Sequence, residues 1–100
     1  MAGLYRNISG NLTQQLLPSG SNKVVSKISL SNVHASDAVV VSLHIEKKLI
    51  GKYYLIKNVS IPIGTTLVVD SGIGFSTKKD QFGLFIKLNA ADSAVDVMVN

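Results

Sequence analysis

Apolar and polar side chains alternate with period two along most of this chain, the spacing of strands that keep one face dry and one face wet. Between Asn22 and Val33, the residues Val24, Ser26, Ile28 and Leu30 fall on one side, and Val25, Lys27, Ser29 and Ser31 on the other. Ala38 to Lys47 alternates more cleanly: Val39, Val41, Leu43 and Ile45 share a face opposite Val40, Ser42, His44 and Glu46. Leu84, Ile86 and Leu88 oppose Phe85 and Lys87, and Val95, Val97 and Val99 oppose Asp96 and Met98. Tyr53 to Ile61 is dense in β-formers. Pro62 has no amide hydrogen to give a ladder, so it marks a strand end or an edge. Beyond it, Thr65, Leu67 and Val69 alternate with Thr66, Val68 and Asp70.

The segments between these runs are turn chemistry. Asn32 to Asp37 is a polar connection, Lys47 to Lys52 reads as a turn, and Asp70-Ser71-Gly72-Ile73-Gly74 is the strongest breaker. Phe75 opens a short strand, Lys78-Lys79-Asp80 forms an exposed tip, and Asn89 to Ser93 turns the chain into its last strand. Near the start, Leu12 to Leu17 forms a further strand ended by Pro18-Ser19-Gly20. Seven to eight short strands at roughly 8–12-residue spacing predict an all-β fold, a sandwich or a small barrel, with an antiparallel β-sandwich of the jelly-roll or Ig-like kind the first choice. With no linker or repeat, residues 1–100 read as one domain, residues 1–21 serving as an N-terminal arm or an edge strand.

Composition adds a second surface to this picture. Apolar residues make up 46% of the chain and charged residues only 16%, below the roughly 25% of an ordinary soluble domain. Burying one face of each strand leaves apolar side chains over, and Val25, Val40, Val68, Phe85 and Met98 are the expected surplus on outer faces. Such a surplus points to an oligomer or assembly contact. There is no cysteine, no run that reads as a signal peptide and no apolar stretch near the ~20 residues of a membrane span, so maturation in a reducing cytoplasm and no membrane are expected. The Asn-x-Ser/Thr triplets at Asn7, Asn11 and Asn58 are then chance.

Charge singles out one place. The net charge is +4, and lysines 47, 48, 52 and 57 interleave with two tyrosines. Lys47, Lys48, Lys52, Tyr53, Tyr54 and Lys57 are therefore the candidate binding surface. Basic groups beside aromatics are what a single-stranded nucleic-acid platform uses, but a single arginine disfavours that partner, and lysines also guard an exposed sheet edge. No catalytic chemistry is expected. There is no Gly-x-Ser-x-Gly elbow, Glu46 is the only glutamate, and most aspartates fall in turns. Gly72-Ile73-Gly74 with Lys78-Lys79 fails the phosphate-loop spacing. His34 falls in a loop and His44 on a solvated strand face; with Asp37 the nearest further ligand, no metal site and no cofactor are expected.

Three segments together resemble small virion proteins of tailed bacteriophages, especially T4-like phages of marine cyanobacteria. They are Lys27 to Ala35, Tyr53 to Val69 (with Ile61-Pro62-Ile63-Gly64-Thr65 at its centre) and Ala90 to Val99, in the same order as in those proteins. The resemblance implies a non-enzymatic virion component made in the host cytoplasm, most directly a capsid decoration or cement protein. Its partners would be itself, as a homo-oligomer with a trimer the first candidate, and other virion proteins such as the major capsid protein. The alternatives are a neck, tail or fibre component, or a carbohydrate-binding host-attachment module using Tyr53 and Tyr54. The resemblance carries no catalytic residue, and residues 1–21 lie outside it.

Overall fold

The computed structural model describes residues 4–18, 24–34, 36–47, 51–69, 75–76 and 82–100. Among them there is no helix. The strands are β1 (Leu4–Ser9), β2 (Gln14–Leu17), β3 (Val24–Val25), β4 (Ile28–Asn32), β5 (Val39–Lys47), β6 (Gly51–Ile61), β7 (Thr66–Val69), β8 (Phe75–Ser76), β9 (Gly83–Leu88) and β10 (Ala94–Val99). Eight of them build two four-stranded antiparallel sheets, β1-β10-β4-β7 and β2-β9-β5-β6, and β3 with β8 forms a two-stranded pair. The all-β sandwich read from the alternation is the observed architecture. The breaker at 70–74, the tip at 78–80 and residue 48 of the candidate surface lie outside the described residues.

The pairing has a simple order. β5 pairs β6, β4 pairs β7, β3 pairs β8, β2 pairs β9 and β1 pairs β10, every pair antiparallel. The chain is thus one long hairpin whose two arms are rolled up. The roll is closed by β10 against β4 in one sheet and β5 against β9 in the other. This is the strand order of a jelly roll, two sheets built from nested hairpin pairs. Among the described strands, only β5 and β6 are consecutive in sequence and neighbours in a sheet.

Period two sets which side chains fill the space between the sheets. Ile28 and Leu30, Val39 to Ile45 at alternate positions, Leu84, Ile86 and Leu88, and Val95, Val97 and Val99 all point inward and are buried. One residue departs from the expected phase. Val25 was assigned to an outer face, yet it is buried in the core. Exposed Ser26 and Lys27 separate β3 from β4, so the alternation restarts at Ile28. At the far end of β4, Asn32 is buried with both polar atoms of its side chain engaged. Its amide nitrogen donates to the carbonyls of Ile61 (2.8 Å) and Asp37 (3.0 Å), and its oxygen accepts the His34 amide (2.8 Å). It ties the end of β4 to the end of β6, across the two sheets.

The strand at Tyr53 to Ile61 ends before Pro62, as its missing amide hydrogen requires. Gly64 then takes φ +69°, the left-handed conformation that lets Thr65 N–H reach the Pro62 carbonyl at 3.2 Å and start β7.

Candidate functional site

The outer face of the β2-β9-β5-β6 sheet carries a cleft of about 460 Å³. Its floor comes from alternation already visible in β5: Val40, Ser42 and His44 point away from the core. Lys87 stands on β9, Lys52 and Tyr54 on β6, and Asn11 and Thr13 close one side from the β1–β2 connection. Period two alone could not put both Lys57 and Asn58, neighbours in sequence, on this face. Two register shifts, opposite Ser42 and beside Tyr54, interrupt the β5–β6 ladder. Such bulges bend a strand and re-aim its side chains. Asn58 sits at φ +53°, a conformation asparagine tolerates better than most residues, and its amide hydrogen reaches the Ser42 hydroxyl oxygen at 3.0 Å.

His44 was expected on a solvated face; the structure buries it, with 4% exposure. Its parity is outward as read, but its cross-strand neighbours cover it. Phe85 lies parallel to the imidazole with centroids 5.1 Å apart, and Tyr54 tilts against it at 5.5 Å. Nε2 is 3.5 Å from a Glu46 carboxylate oxygen, while Nδ1 is buried with no hydrogen-bond partner among the described residues. Burial holds the imidazole below the usual histidine value; Lys52 pushes the same way and Glu46 opposes. The ring is therefore neutral at pH 7.

The cleft presents hydrogen-bond donors. Lys57 Nζ sits 5.0 Å from the Tyr54 ring centre and Lys52 Nζ 5.9 Å, so one aromatic ring steadies two ammonium groups. Two side-chain amides have their oxygens committed. Asn89 Oδ1 accepts from the Val40 amide (3.0 Å) and the Ser93 hydroxyl (3.2 Å), and Asn58 Oδ1 accepts from Ser42 (3.3 Å). A backbone donor fixes the Asn89 assignment, since Val40 N–H needs an oxygen acceptor; at Asn58 the Ser42 hydroxyl both accepts the backbone amide and donates to Oδ1. The amide nitrogens of Asn58 and Asn89 are left without partners among the described residues. Among the described residues no carboxylate lines the cleft; Glu46, beside His44 and paired in register with Lys52, is the nearest described one in the ladder.

The candidate residues named from sequence divide between two faces. Lys52, Tyr54 and Lys57 are in the cleft. Tyr53 pairs with core-facing Ile45 and so lies on the other side of the sheet, edge-on to Phe82 at 6.0 Å, with Lys47 Nζ 5.7 Å from the Phe82 ring centre. Lys48 lies outside the described residues. Sequence reading missed Asn58, Asn89, Ser42, His44 and Lys87 as members. The outward parity of Lys87 was visible, but not that β9 would lie beside β5.

A second polar group joins two loops. His34 Nε2 is 3.1 Å from Asp92 Oδ2, and its Nδ1 accepts the amides of Ser36 (3.1 Å) and Asp37 (3.0 Å). Since Nδ1 accepts twice, the proton resides on Nε2 and is donated to Asp92. Ligand atoms of His34, Asp37 and Asp92 lie within 4.8 Å of one another. Both nitrogens are already engaged, however, and the group works as a clamp between the β4–β5 connection and the β9–β10 turn.

The outer face of the other sheet differs in kind. The register aligns Tyr5, Met98, Ser29 and Val68 in one row across β1, β10, β4 and β7. Tyr5, Met98 and Val68 are 69%, 42% and 44% exposed. The adjoining row is polar and self-satisfied: Asn7 donates to Asp96 at 2.6 Å, and the hydroxyls of Ser31 and Thr66 meet at 2.7 Å.

No protein-family model matches the chain, and no curated protein matches it in sequence. Among solved structures, a chain in the structure of the infectious bursal disease virus Gx strain aligns with a TM-score of 0.56 at 11% identity, over 97% of this chain and 28% of that one. A chain in the crystal structure of the T13 IBDV viral particle aligns over 97% of this chain and 30% of that one, with TM-score 0.41 and 12% identity. This chain thus spans less than a third of either viral chain. At these identities the likeness is one of fold.

Proposed function

We propose that this chain is a non-enzymatic structural component of a virion, and within that class a capsid decoration protein of a tailed bacteriophage that self-associates on the particle. A jelly roll by itself does not decide this, because the fold serves capsids, lectins and cupins alike. The observation that carries the reading is the fold match to a viral chain at TM-score 0.56 over nearly the whole of this one. The phage-like segments from Lys27 to Val99 support the tailed-phage setting. The row of Tyr5, Met98 and Val68 supports self-association, because a flat sheet face with three exposed large apolar side chains in register offers a ready contact. Closure into a symmetric ring, a trimer first, would bury that row.

Size-exclusion chromatography with light scattering, together with localisation in purified particles by mass spectrometry and electron microscopy, tests this. The expected result is a defined oligomer and a fixed copy number on the capsid shell. A protein that stays monomeric at high concentration and is absent from particles would end the reading; one found only in the neck, tail or fibre would keep the virion role and move its position.

A further inference from the structure

We infer that the cleft on the outer face of the β2-β9-β5-β6 sheet binds an acidic saccharide, a sugar bearing a carboxylate or sulfate group. This goes beyond the virion reading and stands without it.

The argument starts from what the cleft offers. Lys52 and Lys57 are gathered on one wall by the Tyr54 ring, and Lys87 faces them from β9 across the β5 residues between. Three cations, with no carboxylate among the described lining residues, set a positive potential in a concave site, where field lines concentrate. The two amides add directed neutral donors, since their oxygens are held by the Val40 amide and by Ser42. His44 belongs to the same lining; its neutral ring turns Nε2–H toward the Glu46 carboxylate, so the buried Nδ1, orphaned among the described residues, is an acceptor. The ammonium and amide donors cannot pair with one another, so a ligand rich in oxygen acceptors, with hydroxyls to donate, complements this lining.

Size and composition then select among anions. About 460 Å³ is within the roughly 300–1,000 Å³ of small-molecule sites and is much larger than one phosphate or sulfate ion requires. The rest of the wall, Thr13, Ser42, Val40 and Leu88, mixes hydroxyls with apolar patches, which suits a ring with hydroxyls and C–H faces. A nucleic-acid strand fits less well. It needs a track of cations and stacking rings, yet Tyr53 and Lys47 are on the opposite side of the sheet, and Tyr54, the one phenol ring among the described lining residues, is occupied by ammonium groups.

The test is titration of the full chain, followed by amide and histidine-ring NMR shifts. The probes are 3′-sialyllactose for a carboxylate sugar, a heparin tetrasaccharide for a sulfated one, lactose, inorganic phosphate and a ten-residue oligo-dT. One acidic saccharide should bind at least tenfold more tightly than lactose and than phosphate, moving the signals of His44, Asn58 and Asn89. Lys57→Gln and Lys87→Gln should each weaken it about tenfold, the loss of one charge-assisted hydrogen bond. Lys47→Gln, on the opposite face, should change nothing. These lysines are solvent-facing, so thermal melts should show that all variants fold. Failure of both acidic saccharides, equal binding of lactose or phosphate, tighter binding of oligo-dT with a steep salt dependence, or equal loss in Lys47→Gln would overturn the inference.

Discussion

The two outer faces of this sandwich share one alternation rule and use it to opposite ends. On the β1-β10-β4-β7 sheet the register is unbroken from Tyr5 through Met98 and Ser29 to Val68, so the face is smooth and its polar groups answer each other in pairs. On the β2-β9-β5-β6 sheet, two bulges in β6 break the register, and the face gains a cleft with donors left over. A regular ladder satisfies itself and offers a flat contact. A bulged ladder sacrifices pairing and gains a concave site.

The contrast can be broken at several points. The largest effect should come from Asn32→Leu at the seam between the sheets. It leaves the Ile61 carbonyl and the His34 amide without the partners Asn32 supplied, and should cost about 2–4 kcal/mol in urea unfolding, loosening both faces together. Asn58→Val should cost about 2 kcal/mol, since a β-branched residue is strained at φ +53°. It should disturb NMR signals on the cleft face while leaving those of Tyr5 and Met98 in place; Asn58→Gly should restore most of the stability.

His44 gives a pH test of the cleft face alone. Its imidazole titrates below the ordinary value of 6.5 in the folded chain, so the unfolded chain takes up the proton first. Its contribution to stability is therefore complete above about pH 6.5 and is lost as pH falls toward the lower folded value. Melting temperatures from pH 8 to pH 5 should fall in the native chain and fall less in His44→Phe. At pH 7.5 the two should differ by no more than about 1 kcal/mol, because the new ring keeps the stack on Phe85. The smallest effect on folding belongs to the smooth face. Met98→Lys should change stability by less than about 0.5 kcal/mol, yet shift the light-scattering mass toward monomer.

How much of this was legible depends on how local each signal is. Val39 to Ile45, Leu84 to Leu88 and Val95 to Val99 announce their buried faces within a single strand, because parity needs no partner. β1 was anticipated only as one of two options for residues 1–21, an arm or an edge strand: of Leu4 to Ser9, only Ile8 is apolar and buried among the positions whose side chains are described, so no alternation announces the strand. Val25 was misplaced because a two-residue interruption resets parity. His44 shows the limit most clearly. Its direction was right and its burial wrong, since burial of an outward residue is decided by Phe85 and Tyr54 on neighbouring strands. In the cleft, Lys52, Tyr54 and Lys57 were visible as a basic-aromatic run. Asn58 and Asn89 were not, because what makes them donors is which oxygen each has already given away.

The nested pairing also has a consequence for how the chain finds its fold. Only β5 and β6 meet across a short loop; joining β1 to β10 directly would close nearly the whole chain at once. Loop-closure entropy falls if the pairs form in order, since each completed pair brings the next two strands close together. The rolled hairpin should therefore zip outward from β5–β6, with the strands at the two ends arriving last. Core truncations such as Val41→Ala should slow folding, whereas Val97→Ala should mainly speed unfolding, and the reverse pattern in stopped-flow kinetics would rule out this order.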